Sequence, residues 1–234
     1  MKSLYLIINV ASVMVPLIFS FHPKLAFYKH WKSAWRAILI SALVFVLWDV
    51  LYTDWGVWGF NPKYLLGIYF FNLPIEEVLF FFCIPYSCLF TIHCLDLLFR
   101  KESLVFDEKT ATLILLTGLF GIGLFYIGCL YTMASISGLL ALILLLKFGL
   151  QVNWLGRFYI YYLILLIPFF IVNGILTGTG LDEAVVWYNN NENMGLRILT
   201  IPIEDFIYGM LLILLNTAIY KYLEFRKERV ASSK

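Results

Sequence analysis

The chain has 234 residues, of which 62% are hydrophobic and only 14% are charged, and its net charge is +2 at pH 7. A soluble domain of this length could not bury so much apolar surface, so the composition excludes a soluble globular protein and indicates lipid as the solvent. The net charge says little by itself, and no nucleic-acid partner is expected.

Seven stretches come close to the length of about 20 mostly apolar residues that a membrane span needs. In chain order they are 3–21, 36–53, 75–98, 110–130, 132–148, 158–177 and 202–221. The fourth and fifth nearly touch around Tyr131-Thr132-Met133. We therefore predict an all-α integral membrane fold with seven transmembrane helices.

The distribution of basic residues predicts the orientation of these spans. All Lys and Arg residues fall on one side of the predicted membrane except Lys2, Lys63 and Arg197. Basic residues mark the cytoplasmic side, so we expect the N-terminus outside and the C-terminus in the cytoplasm. The expected location is the cell (plasma) membrane, with multiple passes.

A short motif with a proline and two adjacent acids occurs twice in the chain. The copies are Pro74-Ile75-Glu76-Glu77 and Pro202-Ile203-Glu204-Asp205. Each copy follows a long outer loop and leads into an apolar span that ends in basic residues. This predicts a 3+1+3 parallel internal repeat, in which residues 1–105 form the first three-helix repeat and 106–131 a linker helix. Residues 132–234 form the second repeat with a short cytoplasmic tail. Such repeats commonly meet at a pseudo-twofold axis, with a site at the junction.

Helix-terminus electrostatics would explain a single copy of this motif, because the positive end of the helix dipole stabilises acids at a helix start. A capping box does not fit, since Ile203 occupies the position three residues after Thr200 where an acid is needed. Two acids in both halves indicate function instead, because acids inside membrane segments are costly.

Desolvation favours the protonated form of a carboxyl group, and a neighbouring carboxylate favours it further. Each pair can therefore combine a proton donor with a proton acceptor. The predicted catalytic residues are Glu76, Glu77, Glu204 and Asp205.

Aromatic residues follow the acids at helical spacing, where their rings could stabilise a carbocation. Packing within the bundle is the commoner role of such residues. Polar side chains also occur in or near other spans. Together they give the candidate substrate-binding residues Trp48, Asp49, Phe80, Phe81, Asn173 and Tyr208.

Two cofactor classes are not expected from the sequence. The four cysteines lie in apolar runs without the spacing of metal ligands; they are Cys83, Cys88, Cys94 and Cys129. We expect them to be reduced thiols that serve only in packing. The glycines Gly118, Gly121 and Gly123 lie inside a span rather than after a strand. We therefore predict no metal and no dinucleotide cofactor.

The chain resembles the integral-membrane lycopene cyclases in its repeated acid motif, its seven spans, Trp48-Asp49 and Gly56-Val57-Trp58. The chain is similar to the fused form of the heterodimeric bacterial type, which is related to the cyclase domain of fungal bifunctional enzymes. Residues 1 to about 105 resemble one subunit and about 130 to 225 the other.

This resemblance implies a carotenoid cyclase, an isomerase (intramolecular lyase) that converts lycopene to γ-carotene and then to β-carotene. The repeated acids would supply the acid and the base. The substrate would be dissolved in the lipid bilayer, no flavin would be needed, and other enzymes of the carotenoid pathway are expected partners.

Three questions stay open at the level of the sequence. The rival function is a small 3+1+3 membrane transporter that uses the acids for proton coupling. Each half could hold its own site, or one composite site could lie between the halves. The depth of the acids depends on whether the apolar run Tyr64 to Phe71 forms a re-entrant turn.

Overall fold

The structure is a computed structural model that describes residues 2–99 and 107–232. These residues form seven α-helices joined by loops with six short strands. The helices are α1 (Leu4–Phe19), α2 (Trp31–Asp54), α3 (Ile75–Leu98), α4 (Glu108–Phe125), α5 (Leu130–Leu144), α6 (Leu155–Leu176) and α7 (Ile203–Ser232). The strands are β1 (Trp58–Phe60), β2 (Tyr69–Phe70), β3 (Leu73–Pro74), β4 (Val186–Tyr188), β5 (Arg197–Ile198) and β6 (Ile201–Pro202).

Within the described residues, six helical segments are long and apolar enough to cross a membrane. They are α2, α3, α4, α6, α7, and α5 together with the π-helical turn Leu145–Gly149 that continues it. The first helix is shorter than the predicted span 3–21, because α1 has only 16 residues. Pro23 disfavours helical backbone at the residue before it, and Ala26 has a left-handed φ of 46° that turns the chain. The all-helical prediction is confirmed, and the six apolar helices fit a multi-pass membrane protein.

Other helix limits also differ from the predicted spans. The fourth helix ends at Phe125, and Tyr131 belongs to the first turn of α5. Helix α7 continues past the predicted end of the last span to Ser232. Among the residues used for the predicted repeats and orientation, Arg100, Lys101, Lys234 and the limit between 105 and 106 lie outside the described residues.

The chain folds into two compact units. The first consists of the described residues of Met1–Leu51, Pro62–Lys101 and Leu212–Lys234. In it, α1 lies along α3. Its largest hydrophobic cluster consists of Phe27, Ala34, Ala37, Ile38, Tyr86, Leu89, Phe90 and Tyr220. His93 and Asp96 of α3 are half-buried here, and Asp96 forms a 2.8 Å ion pair with Lys221.

The second unit consists of Tyr52–Asn61 and the described residues of Glu102–Leu211. Strands β1 and β4 pair in antiparallel register, with Trp58 opposite Tyr188. Helix α5 approaches the start of α7 closely at Gly138, where a Cβ atom would lie 2.7 Å from Leu211 Cδ2. The absence of a side chain at Gly138 therefore permits this close helix contact.

Each unit contains a short hairpin of the same construction, formed by β2 with β3 and by β5 with β6. The first pairs Tyr69 with Pro74 and Phe70 with Leu73. The second pairs Arg197 with Pro202 and Ile198 with Ile201. The hairpins also share their left-handed residues, which are Gly67 and Phe71 in the first and Gly195 and Leu199 in the second.

Both hairpins end at a proline, after which a helix begins at the next residue. Pro74 has extended backbone, with φ −63° and ψ 145°, and α3 begins at Ile75. Pro202 ends β6, and α7 begins at Ile203. Proline has no N–H to donate, so it suits a position just before the hydrogen-bonded part of a helix. Both acid pairs consequently lie in the first turn of their helix.

Candidate active site

The second acid of the first pair, Glu77, lies among polar groups from three helices. Its side chain is 8% exposed, and the hydroxyl of Tyr5 in α1 donates to its Oε2 at 2.5 Å. Asp49 of α2 is 3% exposed and also hydrogen-bonds to Glu77. Two buried carboxyl groups in direct contact share one proton most readily, since two adjacent charges would repel.

The first acid of this pair, Glu76, is fully buried and connects three chain segments. The backbone N–H of Leu66, ten residues earlier, donates to Glu76 Oε1 at 2.6 Å. The side-chain amide of Asn9 donates to the backbone carbonyl of Glu76 at 2.7 Å. The other carboxyl oxygen, Oε2, is buried and has no hydrogen-bond partner among the described residues.

The second pair has the same arrangement in its own unit. Asp205 is 4% exposed and accepts a 2.7 Å hydrogen bond at Oδ1 from the hydroxyl of Tyr131 in α5. The hydroxyl of Tyr188 in β4 donates to Oδ2 at 3.0 Å. Each oxygen of this carboxyl group therefore has a hydroxyl donor.

The first acid of this pair, Glu204, is fully buried and is held through one oxygen only. The backbone N–H of Met194, again ten residues earlier, donates to Oε1 at 2.6 Å. The hydroxyl of Thr132 donates to the same oxygen at 2.5 Å. As in Glu76, the Oε2 atom of Glu204 is buried without a hydrogen-bond partner in the described part of the chain.

The helix dipole alone does not account for the contacts of the four acids. The acids do lie in the first turn of α3 and α7, where the helix dipole favours them. Their hydrogen-bond donors, however, come from other helices, strands and hairpins. Thr200 does not cap α7 with its side chain but bonds to Thr177 Oγ1 at 2.7 Å and to the carbonyl of Gly174 at 3.2 Å.

Four aromatic rings lie together around Asp205. Trp58 contacts Tyr131, Tyr188 and Tyr208, with ring centroids 5.0, 6.4 and 6.2 Å away. Tyr131 also lies 5.9 Å from Tyr188 and 6.0 Å from Tyr208. We call these four residues the aromatic cluster. Their faces carry partial negative charge and can attract a cation, as carboxylates do.

The predicted aromatic residues of the first half are arranged differently. Phe80 contacts Tyr5 at a centroid distance of 6.3 Å, so it lies beside the donor to Glu77. Phe81 contacts Phe45 at 6.0 Å, and Phe45 stacks on Trp48 at 5.8 Å. These predicted residues therefore form two neighbouring ring contacts in the unit that contains the first acid pair.

The described hydrogen bonds do not join the candidate Asn173 to an acid pair. It is half-buried in α6, and its backbone carbonyl oxygen accepts a 2.7 Å hydrogen bond from the hydroxyl of Thr177.

Sequence reasoning missed the donors to the acids. The missed residues are Tyr5, Asn9, Leu66, Tyr131, Thr132, Tyr188 and Met194. An alignment of the two halves would have indicated Tyr5 and Tyr131, since each lies near the start of the first helix of its half. Trp58 and Tyr188 lie in the predicted outer loops, where aromatic residues are usually interfacial anchors.

No group of three or more His, Cys, Asp or Glu side chains that could hold a metal ion occurs within residues 2–99 and 107–232. The four cysteines are free and half-buried. The polar groups that the structure brings together are thus carboxyl groups, hydroxyls and backbone amides.

A protein-family model described as Lycopene cyclase matches residues 2–95 and 128–223, which together make up more than half of the chain. The first matched segment contains Glu76, Glu77 and Tyr5, and the second contains Glu204, Asp205 and their donors. No curated protein and no solved structure matched the chain.

Proposed function

Because the chain belongs to the lycopene cyclase family, we propose that it is a lycopene β-cyclase that forms γ-carotene and then β-carotene. The observation that supports this proposal most strongly is the repeated, buried acid pair. One acid of each pair accepts from a tyrosine hydroxyl, and its neighbour has a buried oxygen without a hydrogen-bond partner in the described part of the chain. Such a site suits proton transfer to and from an apolar substrate.

The proposed reaction begins when a carboxylic acid protonates the terminal double bond of lycopene. The neighbouring double bond attacks the resulting tertiary cation and closes a six-membered ring. A carboxylate then removes a proton, which leaves the β-ionone ring. Phe80 and the aromatic cluster, which includes Tyr208, would shield the cation from water and stabilise it with the faces of their rings.

The reaction balances without an electron carrier, because protonation and deprotonation leave the oxidation state unchanged. We therefore assign the enzyme to the isomerases (intramolecular lyases) and propose no dinucleotide cofactor. The proposed setting is the plasma membrane, with the N-terminus outside and two parallel three-helix repeats. Other enzymes of the carotenoid pathway would pass on the substrate and the product.

Each acid pair has its donors within its own unit. This supports the proposal that each half can carry out proton transfer by itself, so that both ends of lycopene can be cyclised. The family match favours this cyclase over the alternative of a small proton-coupled transporter.

The direct test is pigment chromatography of a lycopene-accumulating host that expresses the chain. We expect one-ringed and two-ringed carotenoids with the wild type, and their loss with the double variant Glu76→Gln, Glu204→Gln, which changes the first acid of each pair. The control is Asp182→Asn, Glu183→Gln, which also replaces two carboxyl groups by amides, at two adjacent exposed acids. Unchanged lycopene with inserted wild-type protein would contradict the proposed function.

A further inference from the structure

The two acids of each pair have different surroundings, and the difference is the same in both units. The second acids, Glu77 and Asp205, accept hydrogen bonds from tyrosine hydroxyls. The first acids, Glu76 and Glu204, each keep one buried oxygen without a partner in the described chain. Resting on the proposed cyclase function, we propose that the first acid of each pair donates the proton and the second accepts it, with Tyr5 and Tyr131 as positioning residues.

The acceptor role follows from the hydroxyl groups around the second acids. Hydrogen bonds donated to a carboxyl group favour its ionised form, which is the form that can take up a proton. Asp205 has one hydroxyl donor on each oxygen, from Tyr131 and Tyr188. Glu77 has the donor Tyr5 and a hydrogen bond with Asp49. These donors also fix the direction in which the accepting lone pairs point.

The donor role follows from the two unequal oxygens of the first acids. In Glu204, Oε1 accepts from both Met194 and Thr132, which occupies the two lone pairs of a carbonyl oxygen. In Glu76, Oε1 accepts from Leu66. A charged Oε2 buried without a partner would be costly, whereas an Oε2–H group carries no charge. Its proton is then available to a substrate double bond.

The electrons and protons balance in each half. The O–H bond of Glu204 breaks as a C–H bond forms at the end of the polyene, and the ring closes onto the cation. A C–H bond of the ring then breaks, its electron pair forms the ring double bond and its proton moves to Asp205. Transfer of this proton from Asp205 back to the adjacent Glu204 restores both acids. The same sequence applies to Glu76 and Glu77.

This division of roles predicts a difference in ring type. After ring closure the cation can lose a proton from the ring junction, from the ring methylene or from the methyl group, which gives β, ε or γ rings. A positioned acceptor selects the junction proton. Loss of the acceptor or of its hydroxyl donor should therefore change the ring type. Loss of the donor acid should lower the total number of rings but leave the ring type unchanged.

The experiment compares four double variants in lycopene-containing membranes at equal amounts of inserted protein. The donor variant is Glu76→Gln, Glu204→Gln, and the acceptor variant is Glu77→Gln, Asp205→Asn. The positioning variant is Tyr5→Phe, Tyr131→Phe. The control is Tyr86→Phe, Tyr159→Phe, which removes two other buried hydroxyls that bond to Ser20 and Thr112.

We expect at least about 100-fold fewer rings of unchanged type in the donor variant. The positioning variant should turn over about 10- to 100-fold more slowly, the size expected for a lost hydrogen bond to a charged group. It and the acceptor variant should also form ε or γ rings. The fraction of each ring type does not depend on the amount of folded protein, so partial misfolding cannot imitate this result.

Pure β rings from the acceptor and positioning variants would overturn the inference, as would equal behaviour of the positioning variant and the control. Both results leave the cyclase function intact, because rings still form. Absence of rings with the wild type would instead refute the proposed function itself.

Discussion

The backbone N–H of Met194 donates to Oε1 of Glu204 at 2.6 Å. This hydrogen bond links the hairpin before α7 to the acid pair at the start of that helix. Leu66 and Glu76 form the same bond at 2.6 Å in the other unit. The position of each buried acid thus depends on the shape of a short hairpin.

The hairpin shape depends on glycine at one left-handed position. Gly195 has φ +68°, and no atom lies within 4 Å of the place where a Cβ would be. An alanine there would be strained by its backbone alone, at a cost of about 1 to 2 kcal/mol. We expect Gly195→Ala to lower both thermal stability in detergent and cyclisation.

The control for this variant is Gly121→Ala in α4, where a Cβ also meets nothing within 4 Å. Alanine favours a helix over glycine by about 1 kcal/mol, so this change should be neutral or stabilising. Equal melting temperatures of the two variants would contradict the role of the hairpin.

Asp49 contributes a third carboxyl group beside Glu77 in the first unit. Asp49→Leu removes its hydrogen bond and leaves Glu77 without one of its buried partners, so we expect cyclisation by the first half to fall about 10-fold or more. Asp49→Asn keeps a donor to Glu77 and should retain more activity. The ratio of one-ringed to two-ringed product measures the effect. Wild-type ratios in the leucine variant would argue against this role.

Contact between α5 and α7 holds Tyr131 beside Asp205. A leucine at position 138 would meet the buried Leu211, and overpacking of this kind costs about 1 to 3 kcal/mol. Gly138→Leu should therefore lower the melting temperature and the activity together. Gly118→Leu in α4, where the space is open, serves as the control and should do neither.

Asp107 caps the start of α4 and lies outside the membrane-spanning segments. Hydrogen bonds from the hydroxyl and then the backbone N–H of Thr110, with a smaller contribution from Lys109, hold the pKa of Asp107 below its ordinary value. The cap therefore stabilises the helix start above about pH 4, the ordinary range of the group, and this contribution is lost as the pH falls through the lowered pKa.

Amide exchange at Lys109 and Thr110 measures this effect. We expect the protection of both amides to decrease in acid in the wild type. Asp107→Asn keeps an uncharged capping oxygen, so its protection should not change with pH in this way. The same pH dependence in both proteins would exclude Asp107 as its cause.

The sequence predicted the helices well where an apolar run meets a clear breaker. Pro74 and Pro202 marked the starts of α3 and α7, and the acids were therefore expected near a helix start. The end of α1 was placed too late, because Phe21 continues the apolar run although the helix ends at Phe19. Hydrophobicity alone does not show where a turn begins.

The acids themselves were identified from the sequence, but their donors were not. Tyr131 was assigned to the gap between two spans, although it lies in the first turn of α5. The pairing of Trp58 with Tyr188 joins two strands of three residues each that are far apart in the chain. Strands so short have no period that sequence analysis can detect.

The central claim is that the repeated acids start cyclisation by giving a proton to lycopene. The most direct measurement uses protein that has been equilibrated in D₂O and is present in excess over lycopene, so that each molecule reacts once. Mass spectrometry should then find one deuterium in each ring formed by the wild type, and at least about 100-fold fewer rings with Glu76→Gln, Glu204→Gln. Rings without deuterium, or deuterated rings formed as fast by this variant, would contradict the account.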